Sequence, residues 1–217
     1  MTQRKKTGVL ISGRGSNLKS LIDAAQQDDF PAEIVVVISN RPDAEGLDYA
    51  RKANIPALVV DHKEFETRED FESKLDEALR EYDVELVCNA GFMRLLTEHF
   101  VAKWLNRQIN IHPSLLPSYK GLHTHERVLK DGIKITGCSV HFVRTDMDSG
   151  PIIAQAAVPV LTDDTPDTLA ARVLEAEHKL YPHALKLVAS GQVRLLAEQV
   201  IIENDDTVTA PLFAPPL

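Results

Sequence analysis

Short apolar runs alternate with amphipathic stretches along most of the chain. Residues 8–11 are apolar and end in Ser12-Gly13-Arg14-Gly15-Ser16-Asn17. Leu18, Leu21, Ile22 and Ala25 then recur at helical spacing. Residues 34–38, rich in β-branched side chains, predict a buried strand that stops at the turn-forming segment 39–43. A helix over 44–53, a strand over 55–60 and a charged helix over 67–81 follow. The last has an inner stripe of Phe71, Leu75, Ala78 and Leu79. Residues 84–88 predict a fourth strand, 96–104 a helix, and 107–111 a fifth strand running into His112-Pro113. This alternation predicts one open, mostly parallel α/β sheet with right-handed crossovers.

Beyond Pro113 the pattern changes. Residues 114–120 read as a loop braced by Pro117, and 124–129 as a short helix. Residues 135–143 and 152–160 are longer strand patterns across a polar loop, and they predict an antiparallel extension of the sheet. A helix capped at Thr165 or Asp167 should run to Ala189, with Leu169, Val173, Ala176 and Leu180 inward and a bend or break at Pro182. Residues 192–196 predict a short strand. From about 201 onward, with Pro211, Pro215 and Pro216, an irregular tail is expected.

Composition narrows the function classes. A length of 217 residues suits about one domain. The 24 basic and 32 acidic side chains leave a net charge of −8, which argues against a general nucleic-acid surface but not against a local phosphate pocket. Two cysteines cannot build a disulfide scaffold, so a reducing compartment is expected. No uncharged run approaches the 18 or more apolar residues of a membrane span, and the amino-terminal segment lacks a signal-peptide pattern. The expectation is a cytoplasmic chain with no membrane partner.

The first turn is a candidate phosphate cradle. Gly13-Arg14-Gly15-Ser16-Asn17 joins a strand to a helix, where free N–H groups and the helix dipole favour an anion. The alternative is a tight turn with a Ser or Asn cap. No Gly-Lys-Ser/Thr follows, so this is not a P-loop. Leu18 stands where the dinucleotide fingerprint has its third glycine, so a monophosphate fits better than a nicotinamide dinucleotide.

Asn110 and His112 lie two apart at the predicted carboxyl end of a strand, on one face, where open α/β sheets place ligands. An amide can donate to a developing oxyanion, and an imidazole can stabilise charge or move a proton. The acidic loop 144–151 supplies Asp148, whose carboxylate can support His112 or His141 as a cation. Its alternative role is a solvated surface turn. His123-Thr124-His125-Glu126 has no HExxH or paired-cysteine spacing, so no metal is expected. Cys88 and Cys138 read as buried thiols, and the G-x-S-x-G elbow of serine hydrolases is missing.

The segments GRGSNL, AGFMRLL, INIHPSLLPSYKGLHTH, SVHF, DMDSGPI and EHKLYP together resemble the phosphoribosylglycinamide formyltransferase family over about residues 7–196. The resemblance implies a single-domain, Rossmann-like formyltransferase fold, mostly parallel with a carboxy-terminal antiparallel portion. It divides the chain into a nucleotide-binding portion at about 7–110, a catalytic and folate-binding portion at about 111–200, and a tail at 201–217. The implied reaction moves the formyl group of 10-formyltetrahydrofolate, a co-substrate, onto the amine of glycinamide ribonucleotide. It calls for neither metal nor nicotinamide, and the expected assembly is a monomer or homodimer.

Carried over by position, Asn110, His112 and Asp148 form the implied catalytic trio. Gly15, Ser16, Asn17 and Glu177 would hold the ribonucleotide. The folate would meet Arg68, the stretch Met93, Arg94, Leu95 and Leu96, Asn110, and the loop Arg144, Thr145, Asp146, Met147 and Asp148. Outside the resemblance, Arg68 is an exposed helix charge, Met93 and Leu96 are core positions, and Glu177 is a polar helix position. Arg14 occupies a position where some family members carry Asn, which leaves the backbone cradle intact. Rival readings are a formyltetrahydrofolate hydrolase, a sugar-nucleotide formyltransferase, and a nucleotide-binding module without chemistry.

Overall fold

In the computed structural model, which describes residues 3–203 and 213–214, the apolar runs assemble into a seven-stranded sheet. The chain runs β1 (Lys5–Ile11), α1 (Ser16–Ala25), β2 (Ala32–Ser39), α2 (Gly46–Lys52), β3 (Ala57–Val59), α3 (Arg68–Glu81), β4 (Leu86–Asn89), α4 (Glu98–Lys103), β5 (Gln108–His112) and α5 (Thr124–Asp131). It continues through β6 (Ile135–Phe142), β7 (Ile152–Pro159) and α6 (Pro166–Ala189) to a separate hairpin of β8 (Val193–Leu196) and β9 (Gln199–Ile202). The strand order is β3-β2-β1-β4-β5-β6-β7. The first five strands are parallel; β6 runs antiparallel to both β5 and β7.

Strand periodicity explains the layers. Val9 and Ile11 of β1 enter one core with Leu18 and Leu21 of α1 and Val173 and Leu185 of α6. Leu10, between them, enters a second core with Leu75 and Leu79 of α3 and Phe100 of α4. The sheet is therefore covered on both faces, as its uninterrupted apolar strands require. The order of strands reverses its progress across the sheet between β1 and β4. The turns after these two strands consequently flank the switch point where such sheets bind ligands.

The predicted elements are present, with informative differences. Thr67, Thr97 and Thr165 cap α3, α4 and α6 through their side chains. Pro182 lies inside an unbroken α6. An internal proline costs about 3 kcal/mol, whereas burying Leu169, Val173 and Leu185, each 0% exposed, contributes roughly 1.5–3 kcal/mol apiece. Packing therefore outweighs the lost helical bond. The Tyr181 hydroxyl, beside that proline, also reaches the carbonyls of Asn89 (3.0 Å) and Ile109 (3.2 Å), tying α6 to β4 and β5.

The edge strand β3 is shorter than its apolar run, as edge strands commonly are. Residues 199–202, which overlap the expected tail, instead form β9. Its turn carries Ala197 at φ 52° rather than a glycine, so no turn signal marks the hairpin. The predicted tail prolines lie outside the described residues. Both faces of β6 are buried, so Ser139 and His141 on one face are as enclosed as Val140 and Phe142 on the other. Among the described residues no helix is long and apolar enough to cross a membrane.

Candidate active site

The first turn is shaped by two glycines pressed together. Gly15 precedes α1 in the left-handed region, at φ 74°. A Cβ there would meet Gly46 Cα at 2.5 Å, and the Gly46 N–H donates to the Gly13 carbonyl at 3.0 Å. The turn thus lies against the start of α2, and only glycine satisfies both the dihedral and the contact. No side chain caps α1 and its first turn holds no acid, which leaves its N–H groups open to an anion. Ser16 is half-buried and Arg14 is exposed.

Asn17, at the second residue of α1, is buried and donates from Nδ2 to Glu177 Oε2 of α6 at 2.6 Å. Its Oδ1 is buried without a partner. Burial raises the Glu177 carboxyl above its ordinary range, and the Asn17 bond opposes this only in part. Two side chains 160 positions apart therefore form one polar pair inside the layer between α1 and α6.

The second cluster sits at the carboxyl end of β5. His112 is buried, and its Nδ1 lies 3.3 Å from Asp148 Oδ2. Its Nε2 is 2.9 Å from the Tyr119 carbonyl, so that nitrogen carries a proton. Asp148, at φ 50°, also accepts the Gly121 N–H at 2.8 Å. The other carboxylate oxygen is 3.7 Å from His141 Nε2.

His141 pairs with Asn110 across β5 and β6, and its Nε2 is 3.2 Å from Asn110 Nδ2. Its Nδ1 donates to the Phe142 carbonyl at 2.9 Å. Burial, the larger effect, lowers its pKa against the opposing pull of that carbonyl and of Asp148. A neutral His141 with its proton on Nδ1 accepts from Asn110, and this fixes which way the Asn110 amide points. Asn110, His112 and Asp148 are thus brought together, with His141 as a fourth member whose part the spacing of SVHF leaves open.

A third network links the first turn to the segment after β4. Ser12 Oγ donates to Asn40 Oδ1 at 2.6 Å and accepts the Met93 N–H at 2.7 Å. Met93 is 70% exposed, so it is not a core residue. Leu95 is also exposed, whereas Leu96 packs against the second core.

A profile of the formyl transferase family matches residues 5–185. Phosphoribosylglycinamide formyltransferase of Escherichia coli is 43% identical over 187 residues, covering 86% of this chain and 88% of that protein. The crystal structure of glycinamide ribonucleotide transformylase 1 from Symbiobacterium toebii superposes with a TM-score of 0.91 at 44% identity, covering 93% and 95% of the two chains. The chain belongs to the phosphoribosylglycinamide formyltransferase family. The bovine trifunctional purine biosynthetic protein adenosine-3 is 53% identical over 193 residues, 89% of this chain, and this chain spans 19% of its length.

The remaining positions implied by the family resemblance are dispersed. Arg68 is exposed at the first residue of α3. The Arg94 Nε is buried without a partner. Thr145, Asp146 and Met147 lie on the loop before Asp148, and all three are exposed. The Arg144 guanidinium is held by Glu198 at 2.9 Å and Asn106 at 2.9 Å. Asn106 precedes β5, so these contacts direct Arg144 toward the end of that strand opposite His112.

His123 is exposed and faces Glu126, and among the described residues no group of three or more His, Cys, Asp or Glu side chains is arranged to hold a metal ion. Burial pushes both thiols up to about 12, the charge of Glu177 adding to the effect at Cys138. Neither is a nucleophile at neutral pH.

Proposed function

We propose that this chain transfers the formyl group of 10-formyltetrahydrofolate to the amine of glycinamide ribonucleotide. The 3.3 Å approach of His112 to Asp148, beside Asn110, is the observation that carries this reading within the family. Glycinamide ribonucleotide enters phosphate-first, with the anion on the N–H groups of Gly15, Ser16 and Asn17 at the start of α1. Glu177 and the unpaired Asn17 Oδ1 supply acceptors for donors on the ribonucleotide. The folate lies across the segment Met93–Leu96 and the loop bearing Asp148, with Arg68 at its outer reach; the Arg144 guanidinium, held by Glu198 and Asn106, braces that loop from the far side.

The amine attacks the formyl carbon, and the formyl oxygen gains negative charge as a tetrahedral species forms. Asn110 donates one amide N–H to that oxygen while His141 holds the other. With Nε2 already protonated against a carbonyl, an attractive contact with Asp148 requires a second proton on Nδ1. His112 therefore acts as an imidazolium paired with a carboxylate, stabilising the intermediate electrostatically. Collapse expels the folate nitrogen, which takes up a proton equivalent to the one lost by the attacking amine. No covalent enzyme intermediate forms, and no step calls for a metal.

A formyl-transfer assay that offers glycinamide ribonucleotide, tRNA, a sugar nucleotide and water as competing acceptors tests this reading. Transfer to glycinamide ribonucleotide should dominate. Formate release at the same rate without any amine acceptor would make the chain a hydrolase and overturn the proposal.

A further inference from the structure

The catalytic pair His112 and Asp148 is bridged by the backbone of one short loop. The Tyr119 carbonyl takes the His112 Nε2 proton at 2.9 Å, and the Gly121 N–H donates to Asp148 Oδ2 at 2.8 Å. Both loop residues are in the left-handed region, Tyr119 at φ 55° and Gly121 at φ 79°. Glycine adopts that region freely. A tyrosine does so at a cost, and something must hold it there.

The polar holding contacts of the Tyr119 side chain and of the Lys120 carbonyl come from α5. The Tyr119 hydroxyl donates to Asp131 Oδ2 at 2.8 Å. The Arg127 guanidinium lies 5.3 Å from the Tyr119 ring centre and donates to the Lys120 carbonyl at 2.7 Å. The helix is anchored in turn by Val128, which is fully buried, and Thr124. A chain of contacts therefore runs from the core through α5 and the loop to both members of the pair.

We infer that Tyr119, clamped by Asp131 and Arg127, is a positioning residue that sets the ring orientation of His112 and the direction of the Asp148 carboxylate. Its side chain hydrogen-bonds neither His112 nor Asp148; Tyr119 acts through its own carbonyl and the Gly121 amide. Asp131 and Arg127 act one step further out. The inference rests on the formyl-transfer reading for its kinetic consequence, but the clamp itself is a statement about His112.

The test pairs kinetics with nitrogen NMR of the histidine rings in the full-length chain. Tyr119→Phe and Asp131→Ala each remove the hydroxyl bond and should lower kcat roughly three- to tenfold, with KM for both substrates within about twofold. Asp131→Asn keeps an acceptor and should return kcat to within about twofold of the parent. Tyr119→Gly relieves the backbone cost but loses both the hydroxyl bond and the ring contact; it should be as impaired as Asp131→Ala, whereas a purely conformational role predicts an unimpaired enzyme. In the NMR experiment the His112 Nε2-bound proton should be sheltered from water in the parent and in Asp131→Asn, and exchange faster in Tyr119→Phe and Asp131→Ala. Parent kcat in Tyr119→Phe and Asp131→Ala, or an unchanged His112 signal in them, overturns the clamp. A parent chain without formyl transfer sinks the functional reading instead, and the NMR result still decides the clamp.

Discussion

Replacing Asp148 by Asn preserves shape and removes one charge. At 3.3 Å from His112 Nδ1, an effective dielectric of about 20 gives a gross attraction of roughly 5 kcal/mol. Much of this is offset by desolvation, because the side chains of His112 and Asp148 are only 7% and 11% exposed. The net value of a hydrogen bond to a charged group, about 1.5–3 kcal/mol, is the better guide. At about 1.36 kcal/mol per decade, kcat should fall roughly 10- to 150-fold. The substituted amide keeps a carbonyl oxygen that can accept the Gly121 N–H, so the loop should stay in place. Turnover is read by formyl transfer with both substrates saturating, and melting temperature is followed in parallel. A variant within about twofold of parental kcat at saturation would refute the charge-pairing argument.

Asn110→Ala removes the proposed oxyanion donor and leaves His141 Nε2 without its partner; the expected loss is about 2.7–4 kcal/mol in the transition state, read by the transfer assay as a roughly hundred- to thousandfold lower kcat. Gly15→Ala places a methyl 2.5 Å from Gly46 Cα at a left-handed residue; about 3 kcal/mol of destabilisation, or roughly 6–12 °C in Tm, should appear in a thermal melt together with weakened ribonucleotide binding. Glu177→Gln tests burial of an acid. The folded-state pKa of Glu177 is raised above its ordinary value of 4.5, so the native chain binds more protons and stability falls as pH climbs from the unfolded value through the raised one. The Gln variant should lack that decline in a series of denaturant melts, while losing affinity for the ribonucleotide. An identical pH slope in parent and variant would show that Glu177 is not the group responsible.

How much of this was legible in the sequence depended on the kind of contact. Strand and helix order followed from periodicity, because β1, β2 and β4 carry apolar side chains on both faces and α3 has a regular inner stripe. Asn110 and His112 were legible as a pair because spacing of two in a strand fixes a common face. Their meeting with Asp148, far along the chain, rests on the loop between β6 and β7, which no local pattern specifies. The pressed pair Gly15 and Gly46 was half visible: the first glycine sits in an obvious turn, while the second reads as an ordinary helix start. Backbone partners carry no signal in side-chain identity at all. The Tyr119 carbonyl, the Gly121 amide and the Met93 amide entered the site only through the path of the chain.

The two histidines show how one residue type takes opposite parts within one cluster. Each has one ring nitrogen committed to a backbone carbonyl, Tyr119 for His112 and Phe142 for His141. What faces the second nitrogen decides the charge. At His141 that neighbour is the Asn110 amide, a donor, with Asp148 further off at 3.7 Å; burial then favours the neutral ring. At His112 the neighbour is the Asp148 carboxylate at 3.3 Å, an acceptor that a neutral ring with Nε2 protonated would repel. In the reaction proposed above, one carboxylate thus divides the pair into a cation that meets developing negative charge and a neutral acceptor that aims the oxyanion donor. Exchanging the two neighbours would leave the imidazolium on the wrong strand and the amide free to rotate, with every side chain of the cluster still present.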